Sequence, residues 1–204
     1  DDARQMGPAF RHGDALNFQV FNRGKQSVAL DLKSPEGLAA FERLAGEADI
    51  FIHNLRPGVP AKLGIDGETL CARHPRLIYC EISAFGHLGP MALQPGYEPL
   101  VQAFSGLSST NGGPDDPPMR SGASMCDQGS GMWVVIGALA LLHRRAQTGR
   151  GVPASPSRLC LFYTKPHRRI YGTLRRNRIA GMPHLRRPRR AGGGKRLVVL
   201  RRVS

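Results

Sequence analysis

Apolar residues recur at helical spacing at Leu38, Phe41, Leu44 and Ala48, which predicts an amphipathic helix over residues 35–47. Its start is also marked: Ser34 is a good N-cap and Pro35 a good first helical residue. Short β-rich runs flank it, residues 27–31 before and 49–52 after, so strand, helix and strand predict a βαβ unit. Residues 59–63 and 66–74 read as short helices, 77–82 as a third strand and 97–104 as a further helix. Residues 1–26, 83–96 and 105–120 read as loop, rich in Gly, Pro and polar residues. Strands alternating with helices predict an α/β fold, a parallel sheet with flanking helices. In such sheets ligands meet the C-terminal ends of strands, and the segment His53-Asn54-Leu55-Arg56-Pro57-Gly58 lies at one.

The longest apolar run, residues 132–142, follows a lone carboxylate, Asp127, set among Gly129, Ser130 and Gly131. It ends in His143, Arg144 and Arg145, then Thr148-Gly149-Arg150-Gly151. Acid first, bases last and Gly beyond is the order a helix dipole favours. The apolar part is too short to span a bilayer and predicts a buried core helix. Asp127 is then expected at or near its N-terminal end, where free N–H groups stabilise negative charge. From the residues alone, Asp127 is either a cap or a reagent.

Charge changes the picture by its distribution. The formal net charge is +14, which invites a nucleic-acid reading. However, residues 1–150 hold 14 of the 29 Lys and Arg residues and all 15 Asp and Glu residues. Residues 151–204 hold the other 15 basic residues and no acidic one. The bulk is therefore a near-neutral globular sequence, and one arginine-rich segment carries the excess. Its composition is disorder-prone or nucleic-acid-like, with residues 198–200 the only short apolar run near its end. Cys71, Cys80, Cys126 and Cys160 form no CxxC pair and have no histidine at metal spacing, so reduced structural thiols and no metal site are expected. No signal peptide or transmembrane run stands out, and a cytoplasmic location is expected.

Several segments resemble the family III CoA-transferases, the group containing formyl-CoA and carnitine CoA-transferases. They are Asn22-Arg23-Gly24-Lys25 with Ser27-Val28-Ala29-Leu30-Asp31-Leu32-Lys33; Asn54-Leu55-Arg56-Pro57-Gly58 with Lys62-Leu63-Gly64; His74-Pro75-Arg76-Leu77-Ile78-Tyr79; Ser83-Ala84-Phe85-Gly86; Pro95-Gly96-Tyr97-Glu98; and Asp127 with Thr148-Gly149-Arg150-Gly151. Each is weak alone; their order and spacing make the resemblance specific over residues 1–151. It implies a Rossmann-like core and makes Asp127 the catalytic nucleophile. It also implies CoA contacts from Leu30, Asp31, Leu32, Lys33, Asn54, Leu55, Arg56, Lys62, Pro95, Gly96, Tyr97 and Glu98. Lys33, Arg56 and Lys62 are cations suited to phosphates, although each alone could be a solvated surface charge, and Leu30 could be plain core. The implied partners are an acyl-CoA and a carboxylic acid, with CoA a substrate and no permanently bound cofactor. The family's dimers are interlocked rings.

Related 2-methylacyl-CoA racemases share the aspartate but pair it with a histidine where this chain has Tyr97, 30 positions upstream of Asp127. Removing and returning a proton on opposite faces needs two acid/base groups, and a free phenol titrates near ~10. Transferase therefore leads racemase. His12, His53, His74, His87 and His143 have no such match and are expected at the surface or in the core.

Two departures from the family shape the remaining expectations. The family opens with a strand, a helix and a second strand ahead of Asp1, and after Gly151 it continues into a longer chain with a glycine-rich loop over the active site. Gly192-Gly193-Gly194 does not match that loop in its flanks. Residues 1–151 are thus expected to be a fragment of the family core, with little transferase activity and no stable dimer. Residues 152–204 are expected to be a poorly ordered basic tail from a wrong reading frame or degraded gene end. The competing reading is a genuine tail binding RNA, DNA or an acidic membrane. Neither a specific nucleic acid nor a membrane is expected as partner.

Overall fold

The computed structural model describes residues 2–154, apart from Pro8, Leu93 and Pro114, together with residues 199–201. The expected loop at the start holds a small hairpin, β1 (Phe10–Arg11) and β2 (Asp14–Ala15), followed by α1 (Leu16–Phe21). His12 and Gly13 both take positive φ, 53° and 85°, the backbone twist that a two-residue hairpin turn requires. Arg4 ties the preceding 3-10 turn to the hairpin through Asp14 at 2.8 Å.

The predicted strand over residues 27–31 is absent; this stretch is irregular. At its end, Asp31 serves a turn instead. The Asp31 carbonyl accepts from Ser34 N at 3.0 Å, and the Asp31 side chain accepts from Lys33 N at 3.0 Å. That turn feeds α2 (Pro35–Glu47), which starts as predicted: Ser34 Oγ accepts the Gly37 N–H at 3.0 Å.

The remaining elements are β3 (Ile50–His53), α3 (Val59–Leu63), α4 (Gly67–Arg73), β4 (Ile78–Glu81), α5 (Glu98–Phe104), α6 (Met125–Thr148), β5 (Pro153–Ala154) and β6 (Val199–Arg201). The main sheet has the order β5-β4-β3-β6. β3 and β4 pair in parallel, with Phe51 opposite Tyr79 and His53 opposite Glu81, so the βαβ unit lies one step later than predicted and crosses through α3 and α4. β4 and β5 are also parallel, while β6 runs antiparallel along β3 and makes the sheet mixed. Residues 155–198 and 202–204 lie outside the described residues, and so does the expectation of a poorly ordered basic tail there.

The sheet is covered on both faces. Alternation sends Phe51 and Tyr79 to one face, where they pack with Phe41 and Ala45 of α2 and Leu70 of α4. Ile78 and Cys80 face the other way, against Val134 and Ala138 of α6. The fold is α/β with helices on both faces of a small, largely parallel sheet. Burying each of these large apolar side chains contributes about 2 kcal/mol before chain entropy is counted.

α6 starts just before Asp127 and stops at Thr148 as the sequence predicts, but it is less buried than predicted. It runs 24 residues, long and apolar enough by length and composition to cross a membrane. Val134 and Ala138 are buried, yet Met132 is 67% exposed and Leu139 61%, with Trp133, Val135 and Ile136 also exposed. The apolar run populates all sides of the helix, and the sheet covers only one of them. Its C-terminal end is fixed by Arg145, which donates to Asp49 Oδ1 at 2.7 Å and to the Arg76 carbonyl at 2.9 Å. Gly149, at φ 72°, caps the helix with its N–H on the Arg145 carbonyl at 2.8 Å.

Candidate active site

Asp127 lies in the first turn of α6. Cys126 and Ser130 on the same helix are buried, while Asp127 itself is exposed. An accessible carboxylate on a buried base is a suitable placement for a nucleophile. The expectation of free N–H groups around it is not met. Met125 N donates to the Ala123 carbonyl at 2.9 Å and Gln128 N to the Ser124 carbonyl at 2.9 Å. Cys126 N and Asp127 N go to one side chain, Glu98, at 3.0 and 2.6 Å. Ser124 at the N-cap makes no side-chain cap bond, and a carboxylate from the neighbouring helix performs that task.

Glu98 is the first residue of α5 and is only 4% exposed. Its Oε1 also accepts from Gln102 Nε2 at 2.6 Å, one helical turn on. Gln102 in turn accepts Ser121 N at 2.8 Å and so holds the approach to α6. Burial pushes the Glu98 carboxyl up, but bonds from Gln102, Cys126 and Asp127 outweigh it and hold the group below its ordinary range. α5 and α6 meet through Val101 and Cys126, which pack with Ala84 and Phe85.

The loop before α5 is pressed onto the same cluster. A Cβ on Gly96 would fall 2.6 Å from Ala84 Cβ, so only glycine fits there. Pro95 and Tyr97 on either side are exposed, Tyr97 at the N-cap position of α5. Of the four residues 95–98, Glu98 alone turns inward, toward the helix of Asp127.

The other expected CoA contacts gather on a different cluster. Leu30, Leu32, Leu55 and Leu63 all pack against the core of Phe41, Phe51, Leu70 and Tyr79. They anchor three segments whose polar members face out: Asp31 and Lys33, Asn54 and Arg56, and Lys62 are exposed. The structure thus brings these three segments to one apolar cluster, and the pair Glu98 and Asp127 to another.

His53, assigned only to surface or core by sequence, is buried at the end of β3. Its Nε2 lies 2.5 Å from Tyr79 Oη, and its Nδ1 accepts the Leu55 N–H at 3.2 Å. Desolvation lowers its pKa to about 4, so it is neutral at pH 7. The available signal was its position directly before Asn54 at a strand end. His87, from the loop over residues 83–96, lies 3.6 Å from Glu81 at the end of β4.

Residues 1–159 match the family described as CoA-transferase family III. An acetyl-CoA:oxalate CoA-transferase of Acetobacter aceti is 41% identical over 152 residues, covering 74% of this chain and 39% of that protein. A succinate–glutarate CoA-transferase of Agrobacterium fabrum is 40% identical over 157 residues, with the same shares. A crystal structure of a CAIB/BAIF family protein from Brucella suis superposes with a TM-score of 0.77 at 35% identity, covering 86% of this chain and 47% of that one. The chain therefore spans about two fifths of the length of these curated relatives. With a family match over more than three quarters of its residues, and with that fold, the chain belongs to CoA-transferase family III.

Proposed function

We propose that this chain carries the nucleophile and part of the nucleotide site of an enzyme that moves CoA from an acyl-CoA to a carboxylic acid. The observation that carries the reading is Asp127, exposed on the first turn of α6 while the residues around it are anchored. In the first step the Asp127 carboxylate attacks the thioester carbonyl. A C–O bond forms, the C–S bond breaks, and CoA leaves as thiolate. The product on the protein is a mixed anhydride. The thiolate then attacks the Asp127 carbonyl carbon, releases the donor acid and leaves an aspartyl-CoA thioester. An acceptor carboxylate attacks that thioester, and the returning thiolate takes the acceptor's acyl group, which restores the Asp127 carboxylate. Splitting the exchange this way keeps each step an acyl transfer to a good nucleophile.

Lys33, Arg56 and Lys62 are assigned to the phosphates of CoA, with Asn54 and the backbone of residues 54–56 beside them. Pro95, Gly96 and Tyr97 are assigned to the wall of the acyl site. Glu98 supports Asp127 rather than touching substrate. About three fifths of the length of these relatives lies outside the match, so the 204-residue chain by itself is expected to turn over little or not at all.

Mass spectrometry after incubation with acetyl-CoA or succinyl-CoA tests the reading. The expected result is an acyl or CoA adduct on the peptide containing Asp127, lost in Asp127→Ala. An adduct that persists in Asp127→Ala overturns the assignment. Multiple-turnover CoA exchange that depends on Asp127 would overturn the expectation of low activity.

A further inference from the structure

We propose that His53 and Tyr79 form a buried positioning pair that sets the shape of the loop over residues 54–56, so that Asn54 and Arg56 are presented toward CoA. The ligand half of this inference rests on the function proposed above; the positioning half rests on geometry alone.

Leu55 N–H is a fixed donor, and it points at His53 Nδ1 from 3.2 Å. Nδ1 must then be the lone-pair nitrogen, which places the ring proton on Nε2. Nε2–H donates to the Tyr79 oxygen 2.5 Å away. Each end of the imidazole thus has one role, and together they join the loop to the neighbouring strand.

The ring cannot drift. Its centroid lies 5.1 Å from that of Tyr79 and 5.4 Å from that of Phe51, and Phe51 meets Phe41 edge-on at 5.4 Å. The His53 carbonyl accepts Ile82 N at 2.9 Å, so the main chain is also held by the strand end. Residues 53–56 then alternate: His53 is buried, Asn54 exposed, Leu55 half-buried on the core and Arg56 exposed. Fixing the Leu55 N–H inward is what turns the side chains before and after it outward. Burial keeps His53 neutral at pH 7, which leaves Nδ1 able to accept, and pushes the Tyr79 phenol up so that it stays protonated. A plain core histidine would satisfy its own nitrogens; this one satisfies the loop's donor.

Amide hydrogen exchange on the full 204-residue chain separates the two. His53→Phe keeps an aromatic ring and removes both bonds. His53→Asn can still accept the Leu55 N–H, because an Asn side chain accepts from the N–H two residues on. The expected result is exchange at Leu55 and Arg56 about tenfold or more faster in His53→Phe and largely restored in His53→Asn, with Ile52 and Cys80 amides unchanged in both. Unchanged exchange at Leu55 in His53→Phe, or identical behaviour of the two variants, overturns the positioning role. If His53→Phe does not fold, Tyr79→Phe, which removes one hydroxyl, carries the same test: Leu55 exchange rises if the pair acts together and stays put if it does not.

Calorimetric titration with CoA tests the ligand half. Wild-type binding is expected to weaken at least tenfold in His53→Phe and less in His53→Asn. Wild-type chain that binds no CoA overturns the ligand half and the function reading with it, while the exchange result still decides the positioning half. Wild-type binding that His53→Phe leaves unaltered overturns the ligand half alone.

Discussion

The carboxylate of Glu98 accepts the backbone N–H of Asp127 at 2.6 Å, so one buried acid fixes the main chain of the other. Two consequences follow for the chemistry. The positive end of α6 is already neutralised by Glu98, and the helix dipole is not reserved for Asp127. The anchor also sets where the Asp127 side chain begins, and small displacements of a nucleophile cost rate steeply. Glu98→Ala removes the carboxylate that accepts the Cys126 and Asp127 N–H groups and so takes away a side-chain cap on the first turn of α6. It should destabilise the chain by about 2–3 kcal/mol, read from urea unfolding. Glu98→Gln keeps one carboxamide oxygen for the two N–H groups and should lose clearly less. Equal losses in the two variants would show that the cap bonds are not what holds the turn.

Stability should fall on both sides of a plateau, for reasons that can be signed. His53 titrates at about 4 in the fold against 6.5 when free, so the unfolded chain binds its proton first. Stability is then full above pH 6.5 and is lost as pH falls from 6.5 toward 4, by up to about 3 kcal/mol. Glu98, held below its ordinary range, adds a second loss as pH falls below that range. On the alkaline side, burial pushes the Cys80 thiol from 9.0 up to about 11. The unfolded thiol ionises first, so stability declines as pH rises above 9. Urea unfolding at a series of pH values reads this. In His53→Phe the slope between pH 6.5 and 4 should flatten, and a slope that survives that substitution would assign it to another group.

How far the sequence told this story depends on where the information was local. Helix 35–47 was legible because Ser34, Pro35 and the 38, 41, 44 spacing are all local signals, and the cap bond from Gly37 N to Ser34 Oγ is present. Residues 27–31 misled because their composition suits a strand, whereas Asp31 makes turn bonds to Lys33 and Ser34 that only the geometry reveals. The family resemblance pointed to Asp127 and to residue 98, but not to their bond, since no periodicity joins positions 29 apart. How little of α6 is covered was hidden for a different reason. An apolar run fits a helix buried all round and a helix covered on one side equally well. Only the placement of Val134 and Ala138 on the sheet distinguishes them.

That uncovered side has a measurable consequence. Met132, Val135, Ile136 and Leu139 form an exposed apolar stripe down α6, at spacings that repeat one helix face. The isolated chain should therefore self-associate in a concentration-dependent way. The double substitution Ile136→Lys with Leu139→Lys should suppress association in light scattering, with thermal stability changed by less than about 1 kcal/mol because neither residue is in the core. Association that persists unchanged would place its origin elsewhere in the chain.

Two glycines should respond to alanine in opposite directions. Gly151 donates its N–H to the Pro75 carbonyl at 2.8 Å, just before β5 joins the sheet beside β4. A Cβ there would lie 2.0 Å from the Leu77 carbonyl oxygen and 2.8 Å from the Arg76 oxygen. Both are backbone atoms on the lead into β4, and Arg76 is also held by Arg145, so neither can move aside cheaply. Gly151→Ala should cost about 3 kcal/mol or more and detach β5 from β4. Gly137, inside α6, is the reverse case. An added Cβ meets nothing within 4 Å, and its φ is not in the positive range. Gly137→Ala should stabilise by about 0.5–1 kcal/mol, because alanine gives up less chain entropy in a helix. Urea midpoints of the two single variants decide the matter. If Gly151→Ala is neutral, the close approach of residue 151 to β4 is not what fixes the edge of the sheet.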